Sequence, residues 1–526
     1  MDPTATKRKT PLGGAFFVGA GIGLSRISGF IRESLFAHYF GNTDAADAFK
    51  GALRIPNLLQ NLFGEGVLSA SFIPVYSGLL AREDSEGRGR VASAVLTLLV
   101  LVTSLITALG MTFAPALIDI LTPGFEGGKR ELAIELVRIF FPATMLLVCS
   151  AWCLGILNSH HRFFLSYAAP IAWNGAIIAT LLAYRQVEDD AQLAIIAAWG
   201  VVLGSALQFL IQVPSVLRLL PKLRPMLGGR DADVRKVMRN FFPVLFGRGI
   251  VQLSAFVDSF IASLLATGAV AALSYAQMIY FLPVSLFAMS VSAAELPRMS
   301  GMVGTDAGTD ALRERLRAGL RQILFFIVPT TIGFIFFGNL IVGSLFESGK
   351  FGARDTALVW ITLGGMAVGL VPSTLGRLYS STLYALGDAQ TPLRVAIVRV
   401  TFSVIFGAAG ALLFLREFPD RPELGVVGLA LGAGLSSWIE FLLLRRAVAR
   451  RVGEASPEPR LVLTLIGVAL GGSALAAAAL SMPAVSTWPL VPRLLLCGVI
   501  AGSVYIGALT LLNVKEARAL LRRARR

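Results

Sequence analysis

Residues 23–66 read GLSRISGFIRESLFAHYFGNTDAADAFKGALRIPNLLQNLFGEG, and they decide what kind of molecule this is. Arg26, Arg32, Asp47, Arg54 and Glu65 lie inside or beside apolar helical segments. A charge at the bilayer centre costs about 2.5–3.5 kcal/mol even on the lenient insertion scale. Several of them on two consecutive spans persist only where they face a water-filled cavity or a charged ligand. The excess of arginine points to an anion, because guanidinium is always protonated and its planar fork meets phosphate oxygens two at a time.

The rest of the chain has the composition of a membrane protein. Of 526 residues, 55% are hydrophobic and 15% charged, and the mean hydropathy is +0.72, too apolar for a soluble domain. The formal charge of +15 needs no nucleic acid to explain it, because the basic residues fall in alternate loops. Cys149 and Cys153, one turn apart in an apolar helix, read as buried thiols. His160–His161 in a short loop do not make a metal site. The first apolar stretch carries Arg26 and lacks a small-residue cleavage pattern, so it reads as a retained span.

With 17–25 apolar residues needed per span, the chain predicts about 14 transmembrane helices, near 11–36, 48–79, 91–121, 132–157, 163–184, 192–217, 237–266, 269–297, 320–346, 356–384, 391–415, 425–444, 461–482 and 490–513. The segments on the side of the termini hold 31 lysines and arginines and the opposite segments hold 8. That split predicts cytoplasmic termini. The other eight basic residues, Arg26, Arg32, Lys50, Arg54, Arg138, Arg248, Arg377 and Arg399, fall within the spans. Arg138 and Arg399 are read as snorkelling to an interface.

An internal repeat divides the chain. Residues 29–37 (GFIRESLFA) echo residues 255–263 (AFVDSFIAS) at an offset of 226, and Pro56 and Pro283 keep nearly the same register. The expected domains are an N-terminal six-helix lobe over 1–220, a basic linker over 221–235, a second six-helix lobe over 236–450, and two extra helices with a basic tail over 451–526. Parallel repeats of this kind are a transporter architecture. Arg32 in the first half aligns with Asp258 in the second, which makes the expected cavity electrostatically lopsided.

SRISGFIRE followed by DAFKGALRIPNLLQNLFGEGVLSASFIPVY resembles the signature of the MurJ/MviN family, lipid II flippases of the multidrug/oligosaccharidyl-lipid/polysaccharide exporter superfamily. The likeness is dense over about residues 20–80 and thins through ILNSHHRF, LPKLRP, LFESGKF and YALGDAQTP to about residue 450. It implies a transporter rather than an enzyme, two six-helix lobes around a cationic cavity, and a C-terminal groove for a polyprenyl tail. The implied partner is lipid II, a disaccharide-pentapeptide on undecaprenyl diphosphate, with membrane lipids and cell-wall synthesis proteins around it. Carried onto this sequence, the implied substrate-binding residues are Arg26 and Arg32 with Ser25, then Asp47, Arg54 and Glu65. Asp258 and Asp388 match carboxylates implied in coupling to sodium, protons or the membrane potential. Three positions depart from the family pattern: Gln60, Met278 and Phe281 stand where arginine, arginine and glutamate are common. Arg248 is the candidate to replace the missing cavity charge.

Arg26 and Arg32 are six residues apart, about 120° around a straight helix, and converge only if the helix bends at Ser28–Gly29. Asp47 and Glu65 are expected either to compensate the arginines in the empty cavity or to sit at helix ends. Asp258, in LSAFVDSFIASLL, needs a cation, a proton or a basic partner. Besides a lipid II flippase, the sequence leaves open a flippase for another lipid-linked saccharide, a drug/cation antiporter, and a non-transporting protein that recruits cell-wall enzymes. No GxxxxGK[ST] stretch occurs, so ATP hydrolysis is not expected.

Overall fold

The computed structural model describes residues 11–220, 223–302 and 308–524, and it is helical nearly throughout. Its first part runs α1 (Pro11–Phe40), α2 (Asp44–Phe63), α3 (Glu65–Ala81), α4 (Ser85–Thr112), α5 (Ala114–Leu121), α6 (Gly127–Ser159), α7 (Phe163–Ala183), α8 (Asp190–Leu219) and α9 (Ala232–Ser263). Its second part runs α10 (Ala269–Pro283), α11 (Ser290–Ser300), α12 (Gly308–Phe346), α13 (Ala353–Ala367), α14 (Leu370–Ala385), α15 (Gln390–Glu417) and α16 (Gly425–Val452). It ends with α17 (Pro459–Leu480), α18 (Pro483–Ser486), α19 (Leu490–Leu511) and α20 (Lys515–Ala524). Among the described residues eleven helices are long and apolar enough to span a bilayer, and α13 with α14, bent by 44°, makes a twelfth. With α1 and α9, of 30 and 32 residues, in the places of the first and seventh expected spans, the order is compatible with fourteen. The protein is an all-α, multi-pass membrane protein.

Two spans are interrupted for identifiable reasons. Between α2 and α3, Gly64 packs so close to the Gln60 carbonyl that a β-carbon there would collide with it. Between α10 and α11, the ring of Pro283 is followed by a π-helical stretch, Val284–Met289. Such wide turns restore hydrogen bonding where the regular ladder is disturbed, and they are frequent at functional sites.

The contacts divide the chain into two compact units, Met1–Leu264 and Leu265–Arg526. In the first unit α1 packs along α7, α2 and α8 pack on α6, and α9 packs on α3 and α2. The core of this unit gathers Phe72, Tyr76, Trp152 and Phe241 with apolar residues of α3, α4, α6 and α9. The linker that follows α8 is part of that packing. Leu220 is buried, and Leu223 and Met226 pack against the core. Backbone N–H groups of Arg224 and Met226 donate to Ser93 and Thr97 of α4. Asp231 caps α9 and accepts from Arg90 at 3.3 Å, closing the loop.

In the second unit α16 is the hub, packed on α13, α14 and most extensively on α15. Small residues let it approach so closely. A β-carbon on Gly410 would lie 2.5 Å from the Gly428 carbonyl oxygen, and one on Gly369 would lie 2.7 Å from the Gly434 α-carbon. Backbone contact through small residues drives helix association in lipid, where burial of apolar side chains gains nothing. The C-terminal pair α17 and α19 packs against α12, where Tyr505 donates to the Phe325 carbonyl at 2.8 Å.

Candidate functional site

The charged site of the first unit is built on α1. Gly21 lets that helix lie against Tyr167 of α7, since a β-carbon there would already be 3.0 Å from the Tyr167 β-carbon. That packing brings Asn174 of α7 to three polar groups of α1. Its amide donates to the Ser28 hydroxyl at 2.9 Å and to the Ser25 carbonyl at 3.3 Å, while its carbonyl oxygen accepts from Arg32 at 2.9 Å. Ser28 in turn donates to the Ser25 carbonyl at 2.9 Å. The Arg32 guanidinium stacks over the Trp173 ring, 4.6 Å from its centre. Arginine is thus held on one face by an aromatic plane and on one edge by an amide, with its remaining donors directed elsewhere.

One of those donors meets Glu33, 2.5 Å away, and the second oxygen of Glu33 is bonded to Lys50 of α2. Lys50 is 8% exposed and lies over the Phe36 ring, 4.2 Å from its centre. Glu33 and Lys50 escaped the sequence reading of the site. The signal was present, since Glu33 ends SRISGFIRE and Lys50 lies among the basic residues within spans. On an ideal helix neighbours point about 100° apart, so spacing alone does not pair Arg32 with Glu33; the long guanidinium arm and Lys50 across the gap do. Asn174 and Trp173 lie 142 and 141 positions downstream of Arg32, beyond the reach of any local pattern.

The sequence-predicted residues divide between places. Ser25 and Arg32 are in this network. Arg26 is on the exposed side of α1. Arg54, one turn beyond Lys50 on α2, is half-buried and faces Asp258 of α9 as its electrostatic partner. Asp47 lies in the first turn of α2, 1% exposed, and accepts from Lys129 of α6 at 2.6 Å; Lys129 also meets Asp44 at 3.0 Å. The carboxylate that directly compensates Arg32 is therefore Glu33, while Asp47 anchors α2 to α6. Glu65 opens α3 and Arg248 lies along α9, but their side chains fall outside the described residues.

Asp388 belongs to a turn between α14 and α15. It accepts from the Thr391 N–H at 2.9 Å and hydroxyl at 2.7 Å, and from Arg451 at 2.7 Å. These bonds, those from Thr391 foremost, hold its carboxyl below the usual carboxylate range. Arg399 does not reach for an interface as expected of a snorkelling side chain. It pairs with Glu440 of α16 at 3.4 Å, and both are about three-quarters buried.

Counting Arg32, Lys50 and Glu33, the α1–α2 network keeps one net positive charge, with Arg26 further along the same helix. A largely buried, preorganised cationic patch with hydroxyl and amide groups beside it is suited to a phosphate-type anion.

Comparison with known proteins gives this chemistry a context. The sequence model of the lipid II flippase MurJ family matches residues 36–496. The chain is 30% identical over 459 residues to the lipid II flippase MurJ of Burkholderia cenocepacia, covering 85% of this chain and 86% of that protein. It is 31% identical over 457 residues to the probable lipid II flippase MurJ of Vibrio cholerae, covering 85% and 84%. Among solved structures, a lipid II flippase MurJ in an inward closed conformation superposes with a TM-score of 0.77 at 23% identity, over 94% of this chain and 99% of that one. An inward-facing multidrug resistance MATE family transporter shares the fold with a TM-score of 0.65 at 17% identity, over 81% and 94%. On the span and strength of these matches, the chain belongs to the MurJ lipid II flippase family.

Proposed function

We propose that this protein moves lipid II from the inner to the outer leaflet of the bacterial inner membrane by alternating access, with the diphosphate held by the arginine-rich network of α1 and α2. The observation that carries the reading is Arg32, fixed by Asn174, Trp173 and Glu33 while the network as a whole stays cationic. Unaided transfer of a diphosphate is opposed by the desolvation that penalises any buried ion. Charge-assisted hydrogen bonds from Arg32, Lys50 and Arg26 replace the lost water, and Glu33 is the counter-charge that keeps the cations paired between cycles. Ser25, Arg54, Asp47, Glu65 and Arg248 complete the proposed substrate path. The two six-helix lobes, 1–220 and 236–450, are the proposed moving parts, and α17 and α19 the proposed site of the polyprenyl tail.

For coupling to sodium, protons or the membrane potential we assign Asp258 rather than Asp388. What supports this choice is that both oxygens of Asp388 are already engaged in the turn before α15, whereas Asp258 faces the arginine of the substrate path. Protein partners in cell-wall synthesis belong to the same reading.

The test is rescue of a cell depleted of its own lipid II flippase. Growth and normal shape are expected on expression of this chain; lysis despite membrane insertion would overturn the proposal. We also propose cytoplasmic termini. Cysteines introduced at Gly127, Asp189 and Gly352 are then expected to label with an impermeant thiol reagent in intact cells, and labelling at Gly87 or Gly228 instead would reverse the orientation.

A further inference from the structure

A second charged cluster lies wholly within the second unit. Arg377 is on α14, Arg399 on α15 and Glu440 on α16. The ends of these helices are tied together by one turn, because Asp388, between α14 and α15, is bonded to Arg451 near the end of α16. From that common end Arg377 is 8 residues in from Ala385, Arg399 is 9 from Gln390, and Glu440 is 11 from Arg451. At 1.5 Å per residue all three lie about 12–17 Å from that common end, so they share one level of the unit, inside the spans expected over 356–384, 391–415 and 425–444. Tyr280 of α10 joins them, bonded at 2.8 Å to Ser373, one turn before Arg377 on the same face of α14.

The charges are not balanced. Arg399 takes the nearer place beside Glu440, and Glu440 feels Arg377 as well. Arg377 itself makes no hydrogen bond or ion pair among the described residues and is exposed. An exposed guanidinium within a span is tolerated only against water, the membrane interface or an anion. Nearby α10 supplies no charge of its own: Met278 and Phe281 occupy the turn around Tyr280, and Phe281 is 51% exposed. The π-helical stretch after Pro283 follows directly.

We infer that Arg377, with Arg399 and Tyr280 beside it, is an anion subsite of the second unit that receives a phosphate oxyanion carried on a lipid, and that Glu440 holds the position until the anion arrives. The inference rests on the flippase reading for its substrate, undecaprenyl diphosphate with its head group, as against the phosphate of a bulk lipid. The guanidinium of Arg377 offers the oxyanion a two-pronged contact that no carboxylate among the described residues occupies. The same oxyanion would compete with Glu440 for Arg399.

The experiment uses the full chain in phosphatidylcholine nanodiscs with undecaprenyl diphosphate as the probe, and phosphatidylglycerol in a parallel arm. Arg377→Gln is expected to weaken binding of the diphosphate about tenfold, with Arg377→Lys between it and the wild type. Glu440→Gln is expected to tighten it about threefold, because the competing carboxylate is gone; a purely structural ion pair would give a loss instead. Unchanged binding by Arg377→Gln would overturn the subsite. So would equal losses for diphosphate and phosphatidylglycerol, which would assign it to bulk lipid. A wild-type protein that binds the diphosphate but fails to rescue a flippase-depleted cell would leave the subsite standing and remove the flippase reading.

Discussion

The first unit and the second solve the problem of charge in a membrane differently. Around Arg32 each charged group is held by a partner: guanidinium to carboxylate and amide, carboxylate to ammonium, ammonium over an aromatic ring. Around Arg377 the partners are fewer and the spacing looser, with one ion pair at 3.4 Å and one exposed guanidinium. A preorganised network fixes the geometry of a ligand before it arrives, and reorganisation costs little when it does. A sparse cluster with an unengaged cation gains its partner only from the ligand. The contrast suggests a resident grip in one unit and a conditional one in the other.

The largest effect should come from breaking the resident grip. Arg32→Ala is expected to abolish rescue while protein level and insertion stay normal, since removal of an intramembrane charge does not hinder insertion. Arg32→Lys should recover part of the activity, because a point charge lacks the fork that meets Asn174 and Glu33 together. Full activity of the alanine variant in a transport assay would take Arg32 out of the site.

Next in size is the Glu33–Lys50 pair. Stranding a buried charge typically costs about 3–5 kcal/mol, whereas removing both partners costs far less. Lys50→Met and Glu33→Gln should each lower thermal stability more than the double variant does. A double-mutant cycle with no coupling would mean the network is not the cooperative unit described.

The comparison is sharpened by combining the two units. Arg32→Lys and Arg377→Gln should each weaken diphosphate binding on their own, and the double variant shows whether the two effects add to within about 0.5 kcal/mol. Strict additivity in the nanodisc assay would separate them.

The smallest expected effect lies at Asp388. Its folded carboxyl is depressed by Thr391 and Arg451, so its contribution is present above the unfolded carboxylate value and lost as pH falls through the lower folded value. Asp388→Asn should therefore cost no more than about 1 kcal/mol at neutral pH, the range of an ion pair to a half-exposed arginine, and the difference from wild type should close only below about pH 4. A difference that closes between pH 7 and pH 5 would mean another group is responsible.

The helices themselves were legible in the sequence, because a bilayer imposes a length and an apolarity that few other constraints share. The dense stretch over residues 20–80 carried the family, and with it the arginines of α1 and α2. What the sequence alone determined is the class of molecule, the order of its spans and the excess of basic residues within them.

Tertiary structure decided which charge meets which. Asn174 reaches Arg32 only because Gly21 admits α7. Asp47 meets Lys129 only because α6 runs beside α2. The second unit shows it most plainly, since Arg399 reads as a snorkelling side chain until α16, drawn in through Gly410 and Gly428, sets Glu440 beside it. A charge in a linear sequence has a cost but no partner. The partner is fixed by helix packing, and in a membrane that packing depends on small residues far away in the chain.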